Sequence, residues 1–324
     1  MAKPVLSVIM PAYNAQDTIA AAVESVLQQT CSDFEFIIIN DSSSDGTAEV
    51  IGDFNDPRLL MVHNKKNLGV AASLSLGAAR ARGEWLARMD ADDLSRPARF
   101  EKQIAWLHEH PEVGLLGTAY ELMDTQSRLF DSRVRPGDDE YLQRELLKLN
   151  PICHGSVMMR RSLVQALGGY DGRFPHAEDY DLWLRCAEVT RLALLSDKLY
   201  IWRVTPRSVT QSARDVQESS AARARRLAWE RRLSGRDRYG RAMNLRPRRR
   251  AEKLLLAEHC VIWGREALRA RRIGRAARLF ARAASLDAGS RRLKEALVRA
   301  PKAITRAVAN AVVRGDVVRR GEEP

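Results

Sequence analysis

Two uninterrupted apolar runs near the N-terminus constrain the fold of this chain more than any other feature. Residues 5–10 and 34–39 are hydrophobic at nearly every position, which is typical of strands buried on both faces of a sheet. Between them, residues 18–29 place apolar side chains on one helical face. The pattern repeats, with strands predicted at 59–62 and 84–87 and helices at 69–82 and 97–108. This alternation predicts an α/β fold with a mainly parallel sheet flanked by helices.

Polar segments follow each of the four predicted strands at the point where the strand ends. They occupy residues 11–14, 40–46, 63–69 and 88–93. Any one of them alone is better explained as an ordinary turn, because Asn, Asp, Ser, Gly and Pro favour turns. In parallel α/β sheets, however, ligands bind at the carboxyl ends of the strands. Four consecutive polar loops on one sheet edge therefore predict a ligand-binding site there.

The turn after the first strand argues against a dinucleotide-binding dehydrogenase. It contains Pro11, Ala12 and Tyr13 in place of a Gly-x-Gly-x-x-Gly segment. Proline and tyrosine do not let a pyrophosphate approach the backbone as glycines do. Asp41, which follows the second strand, remains a candidate for binding a ribose or a base edge.

Three carboxylates fall within four positions at Asp90, Asp92 and Asp93, directly after the fourth predicted strand. Carboxylates this close repel one another and resist burial unless a cation neutralises them. Mg²⁺ and Mn²⁺ prefer hard oxygen ligands and can neutralise a leaving diphosphate. The alternative is that Asp92 and Asp93 cap the next helix, which Pro97 would help to start. The acidic segment by itself leaves both interpretations open.

Composition indicates a globular protein with an uneven charge distribution. Of the net charge of +12, residues 201–324 contribute +20 and residues 1–200 contribute −8. No apolar run is long enough to span a membrane, and the N-terminus has no signal-peptide pattern. The four cysteines are widely spaced, which favours reduced thiols over a disulfide or zinc framework. These features predict a cytoplasmic protein.

The first 205 or so residues resemble family-2 glycosyltransferases of the GT-A fold. The resemblance lies in residues 11–14, 24–30, 40–47, 67–69, 87–93 and 178–183, together with Arg99 and Gln103. It implies an inverting, non-processive enzyme that uses a nucleoside-diphosphate sugar, with a UDP-type donor favoured. It also implies that the acceptor is a hydroxyl of a glycan or lipid-linked molecule in cell-surface polysaccharide biosynthesis.

The resemblance implies roles for individual residues. Those assigned to donor binding are Pro11, Ala12, Tyr13, Asp41, Asp90 and Gly155. Asp92 and Asp90 would form the DxD pair that binds a divalent cation, either Mn²⁺ or Mg²⁺. Asp179 would be the general base that takes the proton from the acceptor hydroxyl. Its place near a predicted helix N-terminus would favour an ionised carboxylate, although a plain helix cap is the alternative. Arg88 precedes the acidic segment and is the best-placed cation for a phosphate contact.

Two departures from the family pattern affect these expectations. Thr205 occupies the position where many GT-A enzymes have a histidine that completes the metal site. His154 and His176 are the other histidines considered for that role. A Gln-x-x-Arg-Trp segment, which accompanies processive synthases, is missing after the Glu178-Asp179 pair. The second departure favours transfer of a single sugar.

Two other functions remain open at this point. The chain could be a non-catalytic scaffold that keeps the GT-A fold and acts through its helical tail; the missing histidine favours this, and the intact Asp90, Asp92 and Asp179 oppose it. It could also be a nucleotidyltransferase, which likewise binds nucleoside phosphates and metal on an α/β sheet. The absence of a glycine-rich, basic loop after the first strand argues against that function.

The C-terminal part differs in character from the rest. We predict a transferase domain at residues 1–210 and a basic α-helical appendage at 211–324, with one tetratricopeptide-like hairpin near 251–288. Its charge fits a solvated arginine-rich face, or peripheral contact with the anionic inner face of a membrane. No aromatic-interleaved or recognition-helix pattern supports nucleic-acid binding.

Overall fold

The computed structural model describes residues 3–135, 137–205, 213–237, 239–241, 250–287, 289–298 and 300–313. The chain divides into two compact units, residues 1–225 and residues 226–324. The domain boundary predicted between residues 210 and 211 lies outside the described residues.

The first unit is built on one sheet. Its nine strands in the described part of the chain are β1 (Leu6–Ala12), β2 (Phe34–Asn40), β3 (Leu59–His63), β4 (Trp85–Arg88), β5 (Leu94–Ser95), β6 (Val113–Met123), β7 (Leu129–Arg133), β8 (Met158–Arg160) and β9 (Arg191–Arg203). Their order is β3-β2-β1-β4-β8-β6-β9-β5, with β7 beside β6. Strands β1 to β4 are mutually parallel, and so are β6 and β9, whereas β5, β7 and β8 pair antiparallel. The prediction of an α/β fold whose first four paired strands form a parallel sheet is confirmed.

Helices follow most of these strands. In chain order they are α1 (Ile19–Leu27), α2 (Thr47–Gly52), α3 (Val70–Arg80), α4 (Arg99–Glu109), α5 (Asp139–Glu145), α6 (Arg161–Ala166), α7 (Glu178–Val189) and α8 (Arg214–Ser234). Every residue of β1 and β2 is buried, as expected for strands covered on both faces. Gly77 lets α3 approach β1 closely, because a Cβ there would lie 2.4 Å from a methyl group of Ile9.

The second unit is helical and has its own core. It contains α9 (Arg250–Arg269), α10 (Ile273–Leu286), α11 (Arg291–Val298) and α12 (Lys302–Val313). Cys260, Phe280, Leu293 and Ile304 are among its buried residues. The chain turns between α9 and α10 at residues 270–272. None of the helices that the structure describes is both long and apolar enough to cross a membrane.

Candidate active site

The parallel strands bring the predicted polar loops to one edge of the sheet. Pro11 and Ala12 are the last residues of β1, are buried, and pair with Ile39 and Asn40 of β2. Tyr13 leaves the strand and is 51% exposed. Its ring is therefore accessible at the sheet edge where donor binding was predicted.

Asp41 follows β2 directly and organises the loop after β3. Its carboxylate accepts hydrogen bonds from the Asn64 side chain at 2.7 Å, from the Leu68 amide at 2.9 Å and from the Gly69 amide at 2.8 Å. Gly69 has a φ of +83°, a conformation that favours glycine. Asp41 is itself buried, and these bonds use three of the about four acceptor positions of a carboxylate. Asp41 thus has a structural role in addition to the predicted contact with a base edge.

The acidic segment begins immediately after β4, and its three carboxylates have different surroundings. Asp93 is buried and accepts hydrogen bonds from the Tyr200 hydroxyl at 2.6 Å and from the Arg203 amide at 2.7 Å. Burial, followed by the charge of Asp92, raises the pKa of Asp93 to about 7. These contacts attach the acidic segment to β9, so Asp93 positions the segment.

Asp92 and Asp90 are the carboxylates available to a ligand. The carboxylate of Asp92 accepts no hydrogen bond from another described residue, and burial raises its pKa against the opposing charges of Arg88 and Arg203. The side chain of Asp90 is 32% exposed and forms an ion pair with Arg88. The carboxylate of Asp92 can therefore accept a cation without breaking a contact that the structure shows.

Arg88 acts on both acidic groups of the site. Its side chain is buried, and its Nε atom has no hydrogen-bond partner among the described residues. Its positive charge acts to lower the pKa of Asp92 and also of Glu178 and Asp179 on α7. Arg88 is therefore within electrostatic reach of both the acidic segment and the Glu178-Asp179 pair.

Asp179 lies in the first turn of α7 and is half-buried. Its carboxylate accepts hydrogen bonds from the Tyr180 amide at 2.6 Å and from the Asn150 side chain at 2.9 Å. Asn150 is itself held by the Ile152 amide, which donates to its side-chain oxygen at 3.1 Å. Burial, followed by the charge of Glu178, raises the pKa of Asp179 to about 7. A carboxyl group with this pKa can accept a proton near neutral pH.

Gly155 lies in a short 3₁₀ turn, His154–Ser156, directly against Tyr200. A Cβ at Gly155 would lie 1.9 Å from the Tyr200 hydroxyl oxygen, so no larger residue fits without movement. The Arg99 guanidinium lies over the Tyr200 ring, 5.1 Å from the ring centre. It also donates hydrogen bonds to the carbonyl oxygens of Arg88 and Val157. Tyr200 thus joins the glycine turn to the acidic segment.

Sequence reasoning missed three residues of this site: Asn150, Tyr200 and Arg203. Arg203 Nε donates to the carbonyl oxygen of Asp92 at 2.8 Å. Tyr200 and Arg203 both come from the end of β9, just before Thr205, where the family histidine was expected. The feature that could have identified Tyr200 and Arg203 from the sequence is their position at the end of a strand.

The predicted metal site has no protein cage in this structure. Among the residues that the structure describes, no three His, Cys, Asp or Glu side chains form a group that could hold a metal ion. His154 instead contacts the Tyr170 hydroxyl at 3.1 Å, and burial lowers its pKa well below the usual value. His176 has a φ of +62° in the turn before α7. Thr205 lies two residues beyond β9.

Comparison with known proteins places this architecture in a family. The profile of glycosyl transferase family 2 matches residues 7–168, half of the chain. EpsE of Bacillus subtilis is 38% identical over 194 residues, which are 57% of this chain and 67% of EpsE. WfgD of Escherichia coli, named as a UDP-Glc:alpha-D-GlcNAc-diphosphoundecaprenol beta-1,3-glucosyltransferase, is 32% identical over 179 residues, 55% of this chain and 68% of WfgD.

Solved structures show the same fold. The crystal structure of S. aureus TarS 1–349 in complex with UDP matches with a TM-score of 0.60 and 18% identity, covering 96% of this chain and 91% of that one. The corresponding complex with UDP-GlcNAc has a TM-score of 0.61 at 18% identity, over 96% of this chain and 80% of that one. The profile match, the identity to EpsE and the shared fold show that this chain is a glycosyltransferase of family 2 with a GT-A type fold.

Proposed function

We propose that this protein transfers a sugar from a nucleoside-diphosphate sugar to an acceptor hydroxyl, with inversion at the anomeric carbon. The observation that carries this proposal is the presence of Asp179, a carboxylate whose pKa is raised to about 7, together with an acidic segment in which the Asp92 carboxylate accepts no hydrogen bond from another residue that the structure describes. Arg88 acts electrostatically on both groups.

The proposed reaction needs one proton acceptor. The acceptor hydroxyl oxygen forms a bond to the anomeric carbon while the bond from that carbon to the diphosphate oxygen breaks. Asp179 takes the hydroxyl proton, and the diphosphate leaves with the bonding electron pair. A base with a pKa near the working pH is both ionised and basic enough for this step.

The donor set fits a divalent cation that is shared with the substrate. Mg²⁺ is usually held by one or two carboxylates together with substrate phosphates, and it keeps several waters. Asp92 and Asp90 supply that number of carboxylates, which is consistent with the lack of a three-ligand protein group in the described residues. A bound Mn²⁺ or Mg²⁺ would neutralise the leaving diphosphate. Arg88 would add a second positive charge for the same phosphates.

Several features support a UDP-type donor and a glycan or lipid-linked acceptor. Tyr13 is exposed after β1, and Asp41 follows the neighbouring strand β2 at the same sheet edge. TarS has the same fold and is known in complex with UDP and UDP-GlcNAc. WfgD is named for a diphosphoundecaprenol acceptor. We therefore place this enzyme in cell-surface polysaccharide biosynthesis, in the cytoplasm and in peripheral contact with the inner membrane face.

We also propose that the two regions of the chain have different roles. Residues 1–210 would carry out transfer, and the basic helical region 211–324 would contact the membrane without binding nucleic acid. Every residue argued above to act on the donor or acceptor precedes residue 206.

Thermal unfolding with a panel of nucleoside diphosphates, each with and without Mn²⁺, tests the donor site. We expect UDP with Mn²⁺ to raise the melting temperature, because ligands that bind the native state stabilise it. Asp179→Asn should reduce transfer by roughly 10²–10⁴-fold while this UDP shift persists, since only the proton acceptor is lost. Absence of a shift with every nucleotide would contradict the donor site and favour a non-catalytic scaffold.

A further inference from the structure

The connection between α9 and α10 carries an unusual concentration of unpaired positive charge. Residues 269–278, which we term the arginine turn, contain five arginines and no acidic residue: Arg269, Arg271, Arg272, Arg275 and Arg278. All five side chains are exposed. None forms an ion pair or a side-chain hydrogen bond with another residue that the structure describes.

This lack of partners contrasts with neighbouring cations of the same unit. Arg291 pairs with Glu295 at 3.0 Å, and Arg292 pairs with Glu258 at 3.4 Å. The arginine turn is therefore not simply a sample of an arginine-rich surface, because nearby arginines are neutralised within the protein.

The four arginines from Arg271 to Arg278 also oppose local stability. Arg271 has a φ of +55°, a conformation in which glycine is normally found after a helix. Arg272 is the N-cap residue of α10 and forms no side-chain cap, and the first turn of that helix contains Arg275 and no acidic residue. The start of a helix favours negative charge, so these positions weaken the helix. Arg275 and Arg278 are also like-charged neighbours, three residues apart on one helix.

The arginine turn also contains an exposed apolar side chain. Ile273 is 44% exposed and is flanked by Arg272 and Arg275. The core-facing side of α10 is occupied by Ala276, Phe280 and Ala283, so Ile273 is not needed for that core. An exposed isoleucine surrounded by arginines fits a bilayer interface, where cations meet lipid phosphates and apolar side chains reach the acyl boundary.

We propose that the arginine turn is the surface through which this protein binds a bilayer rich in anionic phospholipid. Arginine suits this partner because its guanidinium group stays charged and can form two parallel hydrogen bonds to a phosphate. Nucleic acid is a poorer match, because the turn has no aromatic side chain on which bases could stack. The inference specifies the residues of the membrane contact included in the proposed function.

Sedimentation of the full-length protein with vesicles tests the proposal. Vesicles of phosphatidylcholine alone are compared with vesicles that also contain phosphatidylglycerol, at low and high salt. We expect binding only to the anionic vesicles and loss of binding as salt screens the charges. Arg271→Gly should lower the partition coefficient roughly fivefold, as expected for removal of one interfacial cation. The same variant should melt at an equal or higher temperature, because glycine relieves the positive φ.

A matched pair of triple variants separates this surface from net charge. R272E/R275E/R278E should abolish vesicle binding. K294E/K302E/R306E makes the same change in net charge at exposed positions of the same unit. This control variant should retain most of the vesicle binding. Ile273→Ser should weaken binding without changing its salt dependence, since no charge is altered.

Three outcomes would overturn the proposal. They are equal sedimentation with both kinds of vesicle, equal loss in the two triple variants, and tighter binding to single-stranded DNA than to anionic vesicles. The UDP-induced change in melting temperature is measured on every variant. A persistent UDP shift together with failed vesicle binding would reject this surface and leave the donor site intact.

Discussion

At the scale of single residues, Asp179 is held between opposing influences on its charge. Burial and the neighbouring Glu178 favour the protonated form, whereas the Tyr180 amide, Arg88 and Asn150 favour the ionised form. Asn150 is the member of this group that can be removed with least disturbance, because it lies outside regular structure and uses one further contact, to Ile152. Its hydrogen bond to Asp179 therefore tunes the proposed base.

Asn150→Ala should shift the acid limb of the rate profile to higher pH. The variant loses a hydrogen bond that stabilises the ionised carboxylate, so the pKa of Asp179 rises further and less base is available at pH 7. We expect kcat/KM at pH 7 to fall roughly two- to tenfold and to recover at alkaline pH. The exposed Asn55 offers a control, since Asn55→Ala should leave the profile unchanged. An unshifted profile in Asn150→Ala would contradict a role of Asn150 in setting the pKa of Asp179.

The raised pKa of Asp179 also predicts a stability change of definite sign. The folded protein binds the Asp179 proton up to about pH 7, whereas an ordinary aspartate releases it near 3.8. Ionisation above this range therefore destabilises the folded state. Asp179→Asn should unfold at a higher temperature than the wild type at pH 8, and the difference should shrink as the pH falls from about 7 to about 4, where the carboxyl group is protonated in both states. A variant that is less stable at pH 8 would show that the contacts of the carboxylate outweigh the burial of its charge.

Arg88 makes a prediction with two readouts. Arg88→Gln removes the positive charge shared by Asp90, Asp92 and Asp179, so it should weaken UDP binding roughly 10- to 100-fold and move the acid limb of transfer to higher pH. Titration calorimetry and the rate profile measure these effects separately. Arg191→Gln is the control, because Arg191 lies at the opposite end of β9 from Arg203. A loss of UDP binding with an unchanged pH profile would mean that Arg88 binds the phosphates but does not affect the pKa of Asp179.

At the scale of elements, β9 connects parts of the site that are distant in the sequence. Tyr200 contacts Asp93, which is 107 residues earlier, and closes against Gly155. The antiparallel pairing of β5 with β9 brings these residues together, with Leu94 opposite Ile201 and Ser95 opposite Tyr200. The acidic segment is therefore positioned by a strand that lies 107 residues later in the sequence at this contact.

This pairing explains what the sequence could and could not predict. The positions of Asp41 and Asp90 follow from local periodicity, because each lies within two residues of the end of a strand and parallel strands end on one sheet edge. The contacts of Tyr200 and Asn150 depend on which distant segments become neighbours, and no local pattern encodes that. The two-residue strand β5 was also missed, since it is too short to show an alternation.

Gly155→Ala tests whether the contact with Tyr200 supports the site. The added methyl group would overlap the Tyr200 ring, so either the turn or β9 must shift. We expect the free energy of unfolding to fall by roughly 1–3 kcal/mol, together with a loss of transfer, measured by urea unfolding and by activity. Gly172 offers a matched control, because nothing lies within 4 Å of a Cβ there and its φ is ordinary. Equal effects of Gly155→Ala and Gly172→Ala would show that the close packing is not needed.

At the scale of the whole molecule, chemistry and positive charge reside in different units. The proposed donor and acceptor residues belong to the unit at residues 1–225, and the arginine turn belongs to the unit at residues 226–324. Each unit has a separate hydrophobic cluster, one around the sheet and one around α9 to α12. The charge imbalance seen in the sequence therefore coincides with a structural division.

Separate cores predict separate unfolding. Calorimetry should show two transitions, and UDP with Mn²⁺ should move only one of them, because a ligand stabilises the unit that binds it. At a concentration of about 100 times Kd the shift should be roughly 5–10 °C. Anionic vesicles should move the other transition, and the arginine-turn triple variant should abolish that second effect alone. A single transition that responds to both ligands would mean that the two units unfold as one, and that donor and membrane binding are energetically linked.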